Sequence, residues 1–180
     1  MMWVLLALGY FAAQDAAQLG AEIRLAIEGG YDGELPAQAL QWSGMQAYNS
    51  ADHAFAAKCL GLIASTEEPR ATPKEVWRYL AKARLETGDA AGALVAAEHT
   101  LAVEDNPAWK ADGLLDRGRA LLLLDRADEA RKVADEALAL RPQGRTSGGL
   151  RILLGDLELK AGDFKQAAGS YLVVVQFIDD

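Results

Sequence analysis

The sequence predicts an all-α chain: a right-handed α-solenoid of about five stacked helix-turn-helix repeats, roughly ten helices in all. Three features point to it. Gly44, Ala81, Gly118 and Gly155 stand 37 residues apart, and so do Ala56, Ala93, Ala130 and Ala167. Asp52 and Asp89 keep the same step, with Asp163 two steps further on and Arg126 interrupting the series. A fixed period of this size marks a helical-hairpin array. Within one period, Leu154-Gly155, Gly162-Asp163-Phe164, Ala167, Tyr171 and Val174 read as helix, tight turn, helix. Finally, the composition suits packed helices: 51% hydrophobic, 24% charged and only 5 prolines. Alanine, abundant here, has the best helix propensity and a side chain small enough for close contact.

The period divides the 180 residues into one domain of repeats at about 1–33, 34–71, 72–106, 107–145 and 146–180. In the first, Trp3, Leu6, Ala7 and Tyr10 follow i, i+3, i+4, i+7 and predict a helix. Gln14-Asp15 turns the chain, and Leu19, Ile23 and Ala26 continue on a second helix that stops at Gly29-Gly30. In the second, Pro36 suits a first helical turn, Leu40, Gly44 and Tyr48 lie on the helix, and Ala51-Asp52 turns. Ala56, Leu60 and Ile63 face inward on its partner, before a loop at Ser65-Thr66-Glu67-Glu68-Pro69. The third opens with a capping box, Thr72-Pro73-Lys74-Glu75, followed by Trp77, Leu80, Ala81, the Gly88-Asp89 turn, Ala93, Ala97 and Thr100. The fourth has Asn106 as cap, Pro107 in the first turn, and Leu114, Gly118 and Leu121 at packing positions. Asp125-Arg126 replaces the usual turn, Ala130, Ala134 and Ala137 follow, and Pro142 ends the helix. Residues Gln143 to Gly149 predict a flexible linker, with the fifth repeat starting near Thr146-Ser147.

This pattern resembles the tetratricopeptide repeat family. The match lies in Trp77, Leu80-Ala81, Gly88-Asp89 and Ala93; in Gly118, Leu121, Ala130, Ala137 and Pro142; and in Leu154-Gly155, Gly162-Asp163-Phe164, Ala167 and Tyr171. The period of 37 departs from the family's usual 34, so each repeat absorbs about three extra residues, less than one helical turn. The resemblance implies a protein-interaction scaffold whose stacked first helices line a concave groove for an extended peptide or a helix. The Lys/Asn/Arg clamp with which some members hold chaperone tails is not reproduced.

One hairpin cannot bury its own apolar faces, so neighbours must stack. Small residues at Gly44, Ala81, Gly118 and Gly155 would let the backbones of paired helices approach. First-helix positions turned away from that seam are Gln41, Met45, Tyr48, Asn49, Arg78, Lys82, Arg119, Leu122 and Asp156. Arg78, Lys82 and Arg119 form a basic group suited to acidic or carboxylate ends, or a solvated set balancing nearby acids.

Other chemistry is not expected. His53 and His99 lack any metal or catalytic spacing. Cys59, the single cysteine, sits beside Leu60 and reads as a buried structural thiol. Gly144-Arg145-Thr146-Ser147-Gly148-Gly149 lacks the Lys-Ser/Thr ending and preceding strand of a phosphate loop. Glu67-Glu68 and Asp179-Asp180 read as solvated ends. The sequence thus predicts no enzyme, no cofactor, no metal and no small-molecule substrate. With a net charge of −8 and a pI near 4.8, a phosphate backbone would be repelled, so nucleic acid is not an expected partner. The apolar run Met2–Phe11 has no basic residue before Arg24 and is too short to span a bilayer. As a first repeat helix it implies a cytoplasmic protein; as a signal or anchor over residues 1–13 it implies a periplasmic or membrane-associated one. The closing run Tyr171 to Ile178 is apolar almost all round. It predicts either a longer array or self-association at that end. A structural spacer within a larger assembly and a regulatory domain of a multidomain enzyme are the other readings of the whole.

Overall fold

The computed structural model describes residues 16–31, 33–66 and 71–176. Among them are nine helices: α1 (Ala16–Glu28), α2 (Ala37–Asn49), α3 (His53–Thr66), α4 (Lys74–Glu86), α5 (Ala90–Val103), α6 (Pro107–Leu123), α7 (Ala127–Ala139), α8 (Gly144–Lys160) and α9 (Phe164–Gln176). The predicted helix at Trp3, Leu6, Ala7 and Tyr10, the Gln14-Asp15 turn, Glu67 to Pro69 and residues 177–180 lie outside the described residues. Two compact units divide between Thr87 and Gly88.

In the first unit α2 packs on α1, α3 and α4, and α3 packs on α4. Leu19, Ile23 and Ala26 bury one stripe of α1 at i, i+4, i+7. Leu40, Ala56, Cys59, Leu60, Ile63, Trp77 and Leu80 fill the centre. Arg24 on α1 donates to Asp52 at 2.5 Å and stacks 3.8 Å over the Phe55 ring. The other Asp52 oxygen accepts the Phe55 backbone N–H at 3.1 Å. One carboxylate therefore starts α3 and fastens it to α1. The Arg24 guanidinium, with help from that N–H, holds Asp52 below the usual carboxylate range.

In the second unit α6 packs on α5, α7 and α8, while α8 packs on α7 and α9. Its core is Leu114, Leu115, Leu121, Ala130, Val133, Ala134, Ala137, Leu150, Leu153 and Leu157. Glu158 is buried on α8 yet served from both sides: Arg131 of α7 lies at 3.7 Å and the Ser170 hydroxyl of α9 donates at 2.8 Å. At the α6 start, Asn106 accepts from the backbone of Ala108 and Trp109, with Pro107 in the first position, as expected.

The aspartate series is a capping series. Asp89 accepts from Gly92 N–H and Asp163 from Gln166 N–H, as Asp52 does from Phe55. Arg126 gives α7 no such cap and instead forms two 2.7 Å hydrogen bonds to Glu129. The turns themselves are alike. Ala51 and Asp125 hold left-handed backbone (φ 61 and 63) at the positions where Gly88 and Gly162 (φ 81 and 80) stand. In three of these turns the next N–H reaches back five residues, Asp52 to Ala47, Arg126 to Leu121, Asp163 to Glu158.

Several expectations change. Gly144 to Gly149 is not a linker but the first turns of α8. A side chain on Gly149 would lie 2.6 Å from Leu115 Cδ2, so glycine there admits α6. That contact offsets the roughly 1 kcal/mol by which each glycine disfavours a helix. Ser65 and Thr66 extend α3 rather than opening a loop. Pro36 and Pro73 stand at the cap, in extended backbone, and α2 and α4 begin one residue later. Finally, Gly44, Gly118 and Gly155 admit large side chains, and at Gly118 the Ala130 backbone of the paired helix also comes to 3.8 Å of where a Cβ would stand. A Cβ on Gly44 would meet Leu60 at 2.7 Å, one on Gly118 would meet Leu153 at 2.6 Å, and one on Gly155 would meet Tyr171 at 2.5 Å.

Candidate functional site

The first-helix positions fall into both units. In the first, Gln41, Met45 and Tyr48 are half-buried on α2 and Asn49 is exposed at its end. Tyr48 packs edge-on against Tyr79 of α4 at 5.3 Å and tilts against His53 at 5.1 Å. Arg78 and Lys82 lie one turn apart on α4. The Arg78 side chain is only 11% exposed and pairs with Glu75, so it is part of the packing as well as of the surface.

In the second unit Arg119 is exposed on α6. Leu122 is not turned away from the seam: it packs against the core, and its neighbour Leu123 faces outward at 60% exposure. Asp156 accepts a 2.6 Å hydrogen bond from the Tyr171 hydroxyl, which raises that phenol to about 12. Ile152 and Leu159 on α8 are 44% and 49% exposed. Both lie outside the first-helix positions predicted from the sequence, although they stand one 37-residue step beyond Leu115 and Leu122. The α6 and α8 helices run alongside each other: Gly149 near the start of α8 meets Leu115 midway along α6, and Lys160 at the end of α8 pairs with Asp125 just past α6. Leu123, Arg119, Ile152 and Leu159 thus stand on adjacent first helices.

A cleft of about 750 Å³ lies beside the start of α8, lined by Pro142, Gln143, Arg145, Ser147, Gly148, Arg151, Ile152 and Val174 among others. Its charged wall residues are two arginines, and no carboxylate of the described residues lines it. The glycine run marks this place in the sequence, but as a helix start against α6 rather than as a loop.

Cys59 is fully buried, and burial pushes its thiol up to about 12, away from nucleophile chemistry. No group of three or more His, Cys, Asp or Glu side chains that could hold a metal exists among the described residues. None of the described helices is long and apolar enough to cross a membrane.

No protein-family model and no curated protein matches the chain. Solved structures do. A thermophilic TPR protein of Thermus thermophilus, TTC0263, superposes with a TM-score of 0.58 at 21% identity, over 97% of this chain and 89% of that one. MamA of MSR-1 superposes with a TM-score of 0.65 at 18% identity, over 94% of this chain and 95% of that one. The chain has the fold of the tetratricopeptide-repeat solenoids.

Proposed function

We propose that this chain is a non-enzymatic protein-interaction scaffold whose first helices receive an extended peptide or a helix. The observation that carries the reading is the α6–α8 face of the second unit. Leu123, Ile152 and Leu159 leave apolar surface open there, beside the exposed Arg119. Large side chains exposed on adjacent elements are what a partner helix or strand would bury. In the first unit, the α2 and α4 positions Gln41, Met45, Tyr48, Asn49, Arg78 and Lys82 offer a candidate surface of their own. Selection of a displayed 12-residue random peptide library on the purified chain tests this. Selected peptides should bind Leu123→Glu/Leu159→Glu on the order of tenfold or more weakly, with helicity unchanged. Undiminished binding would remove the first-helix face from consideration.

A second reading, self-association through the C-terminal hairpin, rests on α9. Phe164 and Leu172 are 70% and 61% exposed, and Gly169 faces open space. The exposed residues of α7 include Asp128, Glu129, Lys132, Asp135 and Glu136 instead. Sedimentation of wild type and Leu172→Lys separates the two: association that the lysine abolishes supports this reading, and a monomer at high concentration ends it.

A further inference from the structure

We propose that the cleft beside the start of α8 is a separate binding site, for a peptide segment that joins acidic residues to an adjacent apolar side chain. Its volume, about 750 Å³, lies within the range of ligand pockets and far exceeds a single small anion. Its walls divide by chemistry. Pro142, Ile152 and Val174 supply apolar surface, and Arg145 and Arg151 supply charge.

The two arginines differ from others in the chain. Arg24, Arg126 and Arg131 each stand against a carboxylate. Among the described residues, Arg145 and Arg151 make no ion pair, and no acid lines the cleft or occupies the first turn of α8. In a chain of net charge −8, two such cations in one concavity form a local exception to the acidic field. Guanidinium groups in such a place favour planar carboxylates, which they bind through paired N–H donors. The apolar wall selects against a bare anion and for one attached to a side chain such as Ile, Leu or Phe.

The proposal is independent of the first-helix reading, because of the residues invoked there only Ile152 also lines the cleft. Fluorescence anisotropy with a labelled peptide, acetyl-Gly-Asp-Glu-Ile-Phe-amide, and its Asn-Gln counterpart gives the test. Wild type should bind the acidic peptide roughly tenfold more tightly than the amide version. Arg145→Gln/Arg151→Gln should remove that preference, while Leu123→Glu/Leu159→Glu should keep it. Arg145 is exposed, so Arg145→Gln alone, with circular dichroism unchanged, carries the test if the double variant misfolds. Equal binding of both peptides, undiminished binding by the arginine variants, or no saturable binding up to roughly 1 mM would overturn it.

Discussion

The α6–α7 and α8–α9 hairpins share a notch and fill it differently. Gly118 and Gly155 are equivalent, one period apart. Opposite Gly155 stands Tyr171, from the second helix of the same hairpin. The equivalent of Tyr171 in the earlier hairpin is Ala134, too small to reach, and the Gly118 notch is filled by Leu153 from the next hairpin's first helix. In the first unit, Gly44 repeats the Tyr171 solution with Leu60, again from its own hairpin. The period therefore preserves a vacancy, while its occupant is negotiated between neighbours. Where the own-hairpin residue is large the hairpin closes on itself; in the α6–α7 hairpin, where it is alanine, the notch is filled by the hairpin that follows.

The largest effect should come from removing the borrowed occupant. Leu153 is 1% exposed and fills the Gly118 notch. Leu153→Ala would leave a cavity shared by two hairpins and cost about 2–5 kcal/mol. Denaturant titration followed by circular dichroism would read this as a lower midpoint. A loss below about 1 kcal/mol would mean that the notch collapses without its occupant and that the hairpins do not depend on each other there.

Much of this hairpin logic is legible in the sequence, because the demands recur. Small residues at Gly118 and Gly155, alanines at Ala130 and Ala167, and the turn positions all repeat, since each hairpin must solve the same contact. What fills each notch is only partly periodic: Leu60 and Tyr171 stand three periods apart, whereas Leu153 comes from the next hairpin and carries no signal of its role. Nor does local composition reveal the start of α8. The glycines Gly144, Gly148 and Gly149 argue for a loop by propensity, and only the Leu115 contact reverses that. The open face is half legible: Leu122 is in phase, but a helical step of about 100° puts Leu123, not Leu122, on the surface. The Arg145–Arg151 cleft is hidden from the sequence because it needs α8 and α9 brought together.

A smaller difference separates the second helices at their starts. Asp163 caps α9, whereas Arg126 leaves α7 without a side-chain cap. Asp163→Ala should cost about 1 kcal/mol by freeing the N–H of Gln166. Arg126→Ala should leave the midpoint unchanged, since its ion pair with Glu129 is solvent-screened. Equal losses from the two substitutions would show that the arginine has replaced the aspartate in function as well as in position.

The smallest effect isolates the polar end of the own-hairpin occupant. Tyr171→Phe keeps the ring in the Gly155 notch and removes the hydroxyl that donates to Asp156. It should cost about 0.5–1.5 kcal/mol near neutral pH. The sign of the pH dependence follows from the raised phenol. Asp156 favours the protonated hydroxyl, so the folded value of about 12 lies above the ordinary 10.0. The hydrogen bond's contribution is complete below pH 10 and is lost as pH rises from 10 through 12. Buried Cys59 destabilises the fold over an overlapping alkaline range, in wild type and variant alike. The difference between them is therefore the quantity to follow. It should shrink toward zero between pH 10 and 12, because ionised Tyr171 no longer has a proton to donate and faces a carboxylate of like charge. In the α6–α7 hairpin, Ala134 and Arg119 stand where Tyr171 and Asp156 would, so the native pair has no counterpart there. A pH-independent gap between wild type and Tyr171→Phe would show that the ring alone, and not its bond to Asp156, closes the last hairpin.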